Sequence, residues 1–186
     1  MTHKEQTIPV VDMRDFVEGD AQAREAFIQQ LGDALAELGF VAVEGHGVPR
    51  DLIYENYSNY QRFFELDEST KRKYEDPEGG RRRGYTSFGV EHAKDNDKPD
   101  LKEFFHVGRQ LEPDHPLYDR VARNIWPEEM PLLERKGMAL YEALEECSVH
   151  LLRAFSLYLE QEQDFLPEMA EDGSSIMRII HYPVCD

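Results

Sequence analysis

At 186 residues the chain has the length of one ordinary domain, enough to bury roughly two-thirds of its unfolded surface. A hydrophobic content of 40%, with ten Phe, nine Tyr and one Trp, excludes a disordered polymer. Thirty-eight acidic against 21 basic residues give a net charge of −17, which repels phosphate backbones and anionic lipid, so neither nucleic acid nor a membrane is an expected partner.

The first residues, Met1 to Thr7, lack the apolar core of a signal peptide, and no later run approaches a membrane span. Ile8-Pro-Val-Val-Asp12 reads as a short strand. Asp20 is placed to cap a helix running to about Leu38, with Phe27, Leu31, Leu35 and Leu38 on one face, and Gly39 suits the position that ends it. Phe40 to Glu44 reads as a strand, Gly45-His46-Gly47 as a tight turn in which the His46 ring bonds local backbone, and Pro49 as the opening of the next helix. Ile53, Tyr57, Tyr60 and Phe64 stripe that helix, and a shorter helix follows from about Asp67 to Tyr74. Asp76 to Asp100 is mostly loop, with Gly84 to Val90 extended inside it, and Lys102 to Gly108 is a further strand. Four prolines break the region from Leu111 to Pro131. The longest helix, about Leu132 to Glu160, aligns Leu140, Leu144, Cys147, Leu151, Phe155 and Tyr158. A short helix near Asp164 to Glu171 leads to a last strand, Ile176-Met-Arg-Ile-Ile-His181, whose apolar run calls for a neighbour on each side. The expected class is α+β, helix-rich, with few strands to pair that last one.

Several motifs invite chemistry. His3-Lys4-Glu5 is the sole His-x-carboxylate, and it lies in a polar tail that reads as unanchored. Glu103-Phe-Phe-His106 has the spacing of a di-iron ligand pair, but that chemistry needs two such motifs on helices, and this single one sits on a strand. Cys147 and His150 read as a core position beside a polar one rather than a thiolate pair. Cys147 and Cys185 have no CxxC spacing, so reduced thiols and a cytoplasmic setting are expected. Arg81-Arg82-Arg83, flanked by glycines, reads as a solvated loop, with a loop covering a carboxylate-bearing substrate as the alternative. On the final strand, positions 178, 180 and 182 share one face, so Arg178 and Tyr182 need either partners or water.

Three segments in order, Ile8-Pro-Val-Val-Asp12, Gly39-Phe-Val-Ala-Val-Glu-Gly-His-Gly-Val-Pro49 and Met177-Arg-Ile-Ile-His-Tyr-Pro183, resemble the isopenicillin N synthase-like family of non-haem Fe(II) oxygenases, most of which use 2-oxoglutarate. The likeness spans nearly the whole chain but only the amino-terminal half of the family's usual length. It implies a few strands of an incomplete double-stranded β-helix (jelly roll). About residues 1–130 would form the amino-terminal region, 131–175 a scaffold helix and connection, and 176–186 the first strand of the catalytic barrel.

By the same resemblance, Tyr182 contacts 2-oxoglutarate and Arg178 contacts the substrate or co-substrate, while Ile180 replaces a residue that is polar in many relatives. Tyr85, Phe88 and Phe104 approach the substrate side. The family's iron ligands, a His-x-Asp pair and a distant second His, leave open positions on iron for the co-substrate and oxygen. They follow the Tyr-Pro segment, so no metal ligand and no catalytic residue is assigned within these 186 residues. Fe(II) and 2-oxoglutarate are expected in the complete enzyme, acting on a small organic molecule, and neither is expected to be bound by this fragment, which is expected to be inactive alone. The rival expectation is a non-catalytic interaction module that self-associates through its unpaired final strand.

Overall fold

The computed structural model describes residues 7–91 and 100–183; His3-Lys4-Glu5 and Cys185 lie outside the described residues. The chain divides into two compact units, one formed by residues 1–48 and 143–173 and the other by residues 49–142 and 174–186.

In the first unit, strand β1 (Val10–Asp12) pairs in parallel with β2 (Ala42–Glu44). Helix α1 (Met13–Val17) follows β1 directly, because the Asp12 carboxylate accepts from the Arg14 backbone N–H and caps it. Helix α2 (Ala21–Glu37) begins as expected at Asp20, whose carboxylate accepts from the N–H groups of Gln22 and Ala23. It ends at Gly39, whose φ of 76° is a conformation that side chains with a Cβ resist. Phe27, Ile28 and Leu31 of α2 pack with Val11, Met13, Phe16 and Ala154 into a core flanked by Cys147, Leu151 and Tyr158. In the Gly45–Gly47 turn, the His46 Nδ1 accepts from the Val48 N–H at 3.1 Å, which is the local backbone bond foreseen for it.

The second unit holds helix α3 (Arg50–Phe64), a short α4 (Glu68–Lys71) with a 3₁₀ turn through Tyr74, and an antiparallel sheet. The sheet order is β3 (Gly84–Thr86), β4 (Glu103–Gly108), β5 (Ile176–His181). Its register sets Phe104 opposite Ile180 and His106 opposite Arg178. One face carries Tyr85, Phe105 and Val107 against Tyr60, Phe63 and Phe64 of α3, with Tyr74, Leu133 and Tyr141 completing the core. Phe63 has no exposed surface and meets Phe64, Tyr85 and Phe105 edge-on at centroid distances of 5.1 to 5.7 Å, a geometry the aromatic quadrupole favours.

Three expectations are corrected. The buried face of α3 is Asn56, Tyr60, Phe63 and Phe64, whereas Tyr57 is 68% exposed. A polar residue turns inward there because the Asn56 carboxamide donates to the carbonyls of Leu52 and Lys136, at 2.8 and 3.0 Å. Helix α5 (Leu132–Tyr158) does not bury one continuous stripe. Residues up to 142 belong to one unit and those from 143 to the other; Leu133, Leu140 and Tyr141 are buried, while Leu144 is exposed. Finally, the segment from Gly84 is extended only to Thr86. The short helix expected near Asp164 to Glu171 is α6 (Phe165–Ala170), which lies in the first unit.

Candidate functional site

Strand β5 alternates between the two faces of the sheet. Met177 and Ile179 pack against the core, while Arg178 and Ile180 emerge on the other side, and exposed Tyr182 follows the strand's last residue, His181. Ile180 is 43% and Tyr182 64% exposed, so β5 and the residue after it offer a cation, an aliphatic surface and a phenol. One edge of β5 pairs with β4, and the other edge has no partner strand among the described residues.

Arg178 is held from several directions. Its guanidinium carbon lies 4.4 Å from the centroid of the Phe104 ring, Nε donates to His106 Nε2 at 2.6 Å, and Nη1 reaches Glu91 Oε2 at 3.3 Å. Glu91 also receives Lys102 Nζ at 3.1 Å, and Lys102 in turn meets Asp100 at 2.9 Å. His106 is 5% exposed, its Nδ1 is 3.0 Å from the Arg81 carbonyl oxygen, and burial holds its pKa below the ordinary 6.5. A histidine kept neutral by folding gives its full support above the unfolded value near 6.5, and that support is lost as pH falls below it toward the depressed folded value.

The opposite face carries a buried polar hub. Glu103, 1% exposed, accepts from Lys71 Nζ at 2.6 Å and from the Tyr85 hydroxyl at 2.5 Å through Oε2, and its Oε1 lies 2.8 Å from His181 Nδ1. The His181 ring stacks on Phe64 at 5.2 Å. Burial, followed by the Glu103 carboxylate, pushes the Tyr85 phenol well above its usual value.

The five residues singled out by sequence are therefore not gathered at one point. Arg178 and Phe104 share the outward face, and exposed Tyr182 follows the end of β5. Tyr85 lies fully buried on the inward face with its hydroxyl on Glu103, and half-buried Phe88 has Lys71 Nζ 5.9 Å from its ring centroid. Glu103 and His106, three apart on a strand, point to opposite faces, which separates the two groups of the Glu-x-x-His spacing. Arg81–Arg83 is corrected as well, because Arg82 is exposed but Arg83 is 1% exposed. A Cβ on Gly108 would lie 2.0 Å from Arg83 Cζ, so that glycine leaves room for the buried guanidinium. Sequence reading missed Lys71, Tyr85, Glu103 and His181 as a working set. The available signal was a charged residue at the inward parity of an apolar strand, which must find a counter-charge.

Among the described residues, no group of three or more His, Cys, Asp or Glu side chains is arranged to hold a metal ion, so these residues do not fit an iron site. A guanidinium and a phenol, as Arg178 and Tyr182 carry, are donor types that bind a carboxylate. A separate cavity of about 320 Å³ in the same unit is lined by Arg109, Tyr118, Arg123 and Trp126 among others, with Glu112 and Glu134 adding negative charge. No helix of the described residues is long and apolar enough to cross a membrane.

Residues 8–129 match the family described as the amino-terminal region of the non-haem dioxygenase in morphine synthesis. A 2-oxoglutarate-Fe(II) type oxidoreductase of Emericella nidulans is 28% identical over 94% of this chain and 52% of its own length. A protein of the 2OG-Fe(II) oxygenase family from Caulobacter crescentus superposes with a TM-score of 0.83 and 35% identity, over 95% of this chain and 56% of that one. Neurospora crassa T7H, solved in complex with alpha-KG, superposes with a TM-score of 0.79 at 22% identity, over 98% of this chain and 54% of its own, a likeness of fold. The chain spans about half the length of the curated relatives it matches.

Proposed function

Since the chain belongs to the non-haem Fe(II)- and 2-oxoglutarate-dependent dioxygenases through their amino-terminal region, we propose that it forms the amino-terminal half of such an oxygenase, acting on a small organic substrate. In this reading β5 is the first strand of a jelly-roll barrel, its free edge takes the next strand, and its outward face lines the co-substrate side of the cavity. The observation that carries the reading is Arg178 and Ile180 on that face, with exposed Tyr182 just after the strand, beside an edge with no partner strand among the described residues.

Bound iron, with 2-oxoglutarate and oxygen, would supply the oxidising power in the complete enzyme. The iron ligands are assigned to no residue described here. What these residues contribute is binding and orientation. The Tyr182 hydroxyl donates to a 2-oxoglutarate carboxylate, and Arg178 supplies a fixed cation for the co-substrate or the substrate. Ile180 keeps the floor between them apolar. Phe104 supports the Arg178 guanidinium from below, as the 4.4 Å contact provides.

The test is oxygen- and Fe(II)-dependent formation of succinate from 2-oxoglutarate by the complete enzyme of which this chain would form the amino-terminal half. The expected result is turnover that ceases when iron is chelated and returns when Fe(II) is restored. Turnover that persists after chelation, or uses no 2-oxoglutarate, would overturn the reading. The free β5 edge with exposed Ile176 and Ile180 also supports a second reading, a non-catalytic module that pairs with another chain through that edge. A mass that rises with protein concentration, with no succinate formed, would favour it.

A further inference from the structure

We propose that His106 is a positioning residue for Arg178: as the neutral tautomer protonated on Nδ1, it uses its Nε2 lone pair to fix the roll of the guanidinium on the outward face of β5. The functional importance of that orientation rests on the reading of Arg178 as a co-substrate or substrate contact.

Two independent contacts dictate the tautomer. A backbone carbonyl can only accept, so the 3.0 Å contact between His106 Nδ1 and the Arg81 oxygen places a proton on Nδ1. A guanidinium Nε–H can only donate, so the 2.6 Å contact from Arg178 requires a lone pair on Nε2. The two demands agree, and they are met together by the neutral ring alone. Protonation would set an N–H against an N–H and a cation against a cation.

The surroundings favour the neutral ring. It is 5% exposed, and the Phe104 ring lies 4.7 Å away. Arg178 and Arg83 repel a second positive charge, while Glu91 and the Arg81 carbonyl oppose them. Burial outweighs the favourable contacts.

The consequence is geometric. A guanidinium resting on an aromatic face can slide and rotate on it, because stacking is weakly directional. The bond at Nε removes that freedom on one edge, and Glu91 restrains Nη1 at 3.3 Å. Anion recognition by a planar fork depends on its orientation, so a ligand meeting Arg178 would find it set beforehand.

The experiment is nitrogen-15 NMR on the full chain. At neutral pH the His106 ring should give a pyrrole-type Nδ1 and a pyridine-type Nε2, and the Arg178 Nε–H should exchange slowly with water. His106→Gln places an acceptor near the Nε2 position and should keep that protection. His106→Asn keeps the donor to Arg81 but loses the acceptor, and should speed exchange about tenfold. In the unaltered protein the ring should titrate below 6.5, with Arg178 protection vanishing over the same range.

A proton on Nε2, or equal protection in the Asn variant, would overturn the proposal. The wild-type tautomer decides the matter if either variant fails to fold. Affinity for 2-oxoglutarate in Arg178→Gln of the complete enzyme tests the underlying reading separately: an unchanged value removes Arg178 from co-substrate binding but leaves the coupling to His106 intact.

Discussion

Glu103→Ala should destabilise the sheet unit by about 3–5 kcal/mol, the usual cost of removing one partner of a buried ion pair. The carboxylate is nearly inaccessible, and its loss would strand three groups. Lys71, whose side chain is 6% exposed, would retain the Phe64 carbonyl at 3.1 Å and Glu68 at 3.8 Å, too little to compensate a buried ammonium. The buried Tyr85 hydroxyl would lose its acceptor, and His181 its contact at Nδ1. Against a whole-domain stability of about 5–15 kcal/mol, such a loss is a large share. Pairing the change with Lys71→Met should recover much of it, since the uncompensated charge leaves as well. The check is the urea midpoint of the wild-type protein, the single variant and the double variant. A single variant costing under about 1 kcal/mol would mean that the pair behaves as an exposed one.

The second large effect concerns binding. In the complete enzyme, Tyr182→Phe should raise the KM for 2-oxoglutarate at least about tenfold with kcat little changed, because a hydrogen bond to a charged group contributes about 1.5–3 kcal/mol and acts equally before and during reaction. Arg178→Gln should raise the KM for 2-oxoglutarate or for the organic substrate by more, since it removes a formal charge. Neither side chain is buried against the core, so folding should survive both changes. Steady-state kinetics with each substrate varied in turn would measure the two effects. A fall in kcat with KM unchanged would place these residues outside ground-state binding.

The sequence carried local chemistry well. An aspartate before an apolar helix, a glycine after it and a histidine between two glycines each act on backbone groups within a few residues, and Asp20, Gly39 and His46 do so. The strand parity of Arg178 was legible for the same reason, since it needs no knowledge of the partner strand, whereas the strand ends at His181, before Tyr182. Periodicity failed where burial is decided at long range. Asn56 turns inward for the Lys136 carbonyl, 80 residues away, and the buried Arg83 guanidinium lies against Gly108 of β4. Helix α5 serves two units, so no single stripe describes it. The Glu103 hub joins positions 71, 85, 103 and 181, and no spacing rule links residues brought together by α4 and three strands. The families of close polar contacts on the two faces of β4 were thus out of reach, although Glu103 and His106 themselves stood in plain view.

The most direct test of a co-substrate surface on β5 is a titration of the complete, nitrogen-15-labelled enzyme with 2-oxoglutarate. The largest shifts should fall on Arg178, Ile180 and Tyr182, with His106 following through its bond to Arg178. Saturable shifts confined to the Arg109–Trp126 cavity, with β5 unmoved, would contradict it.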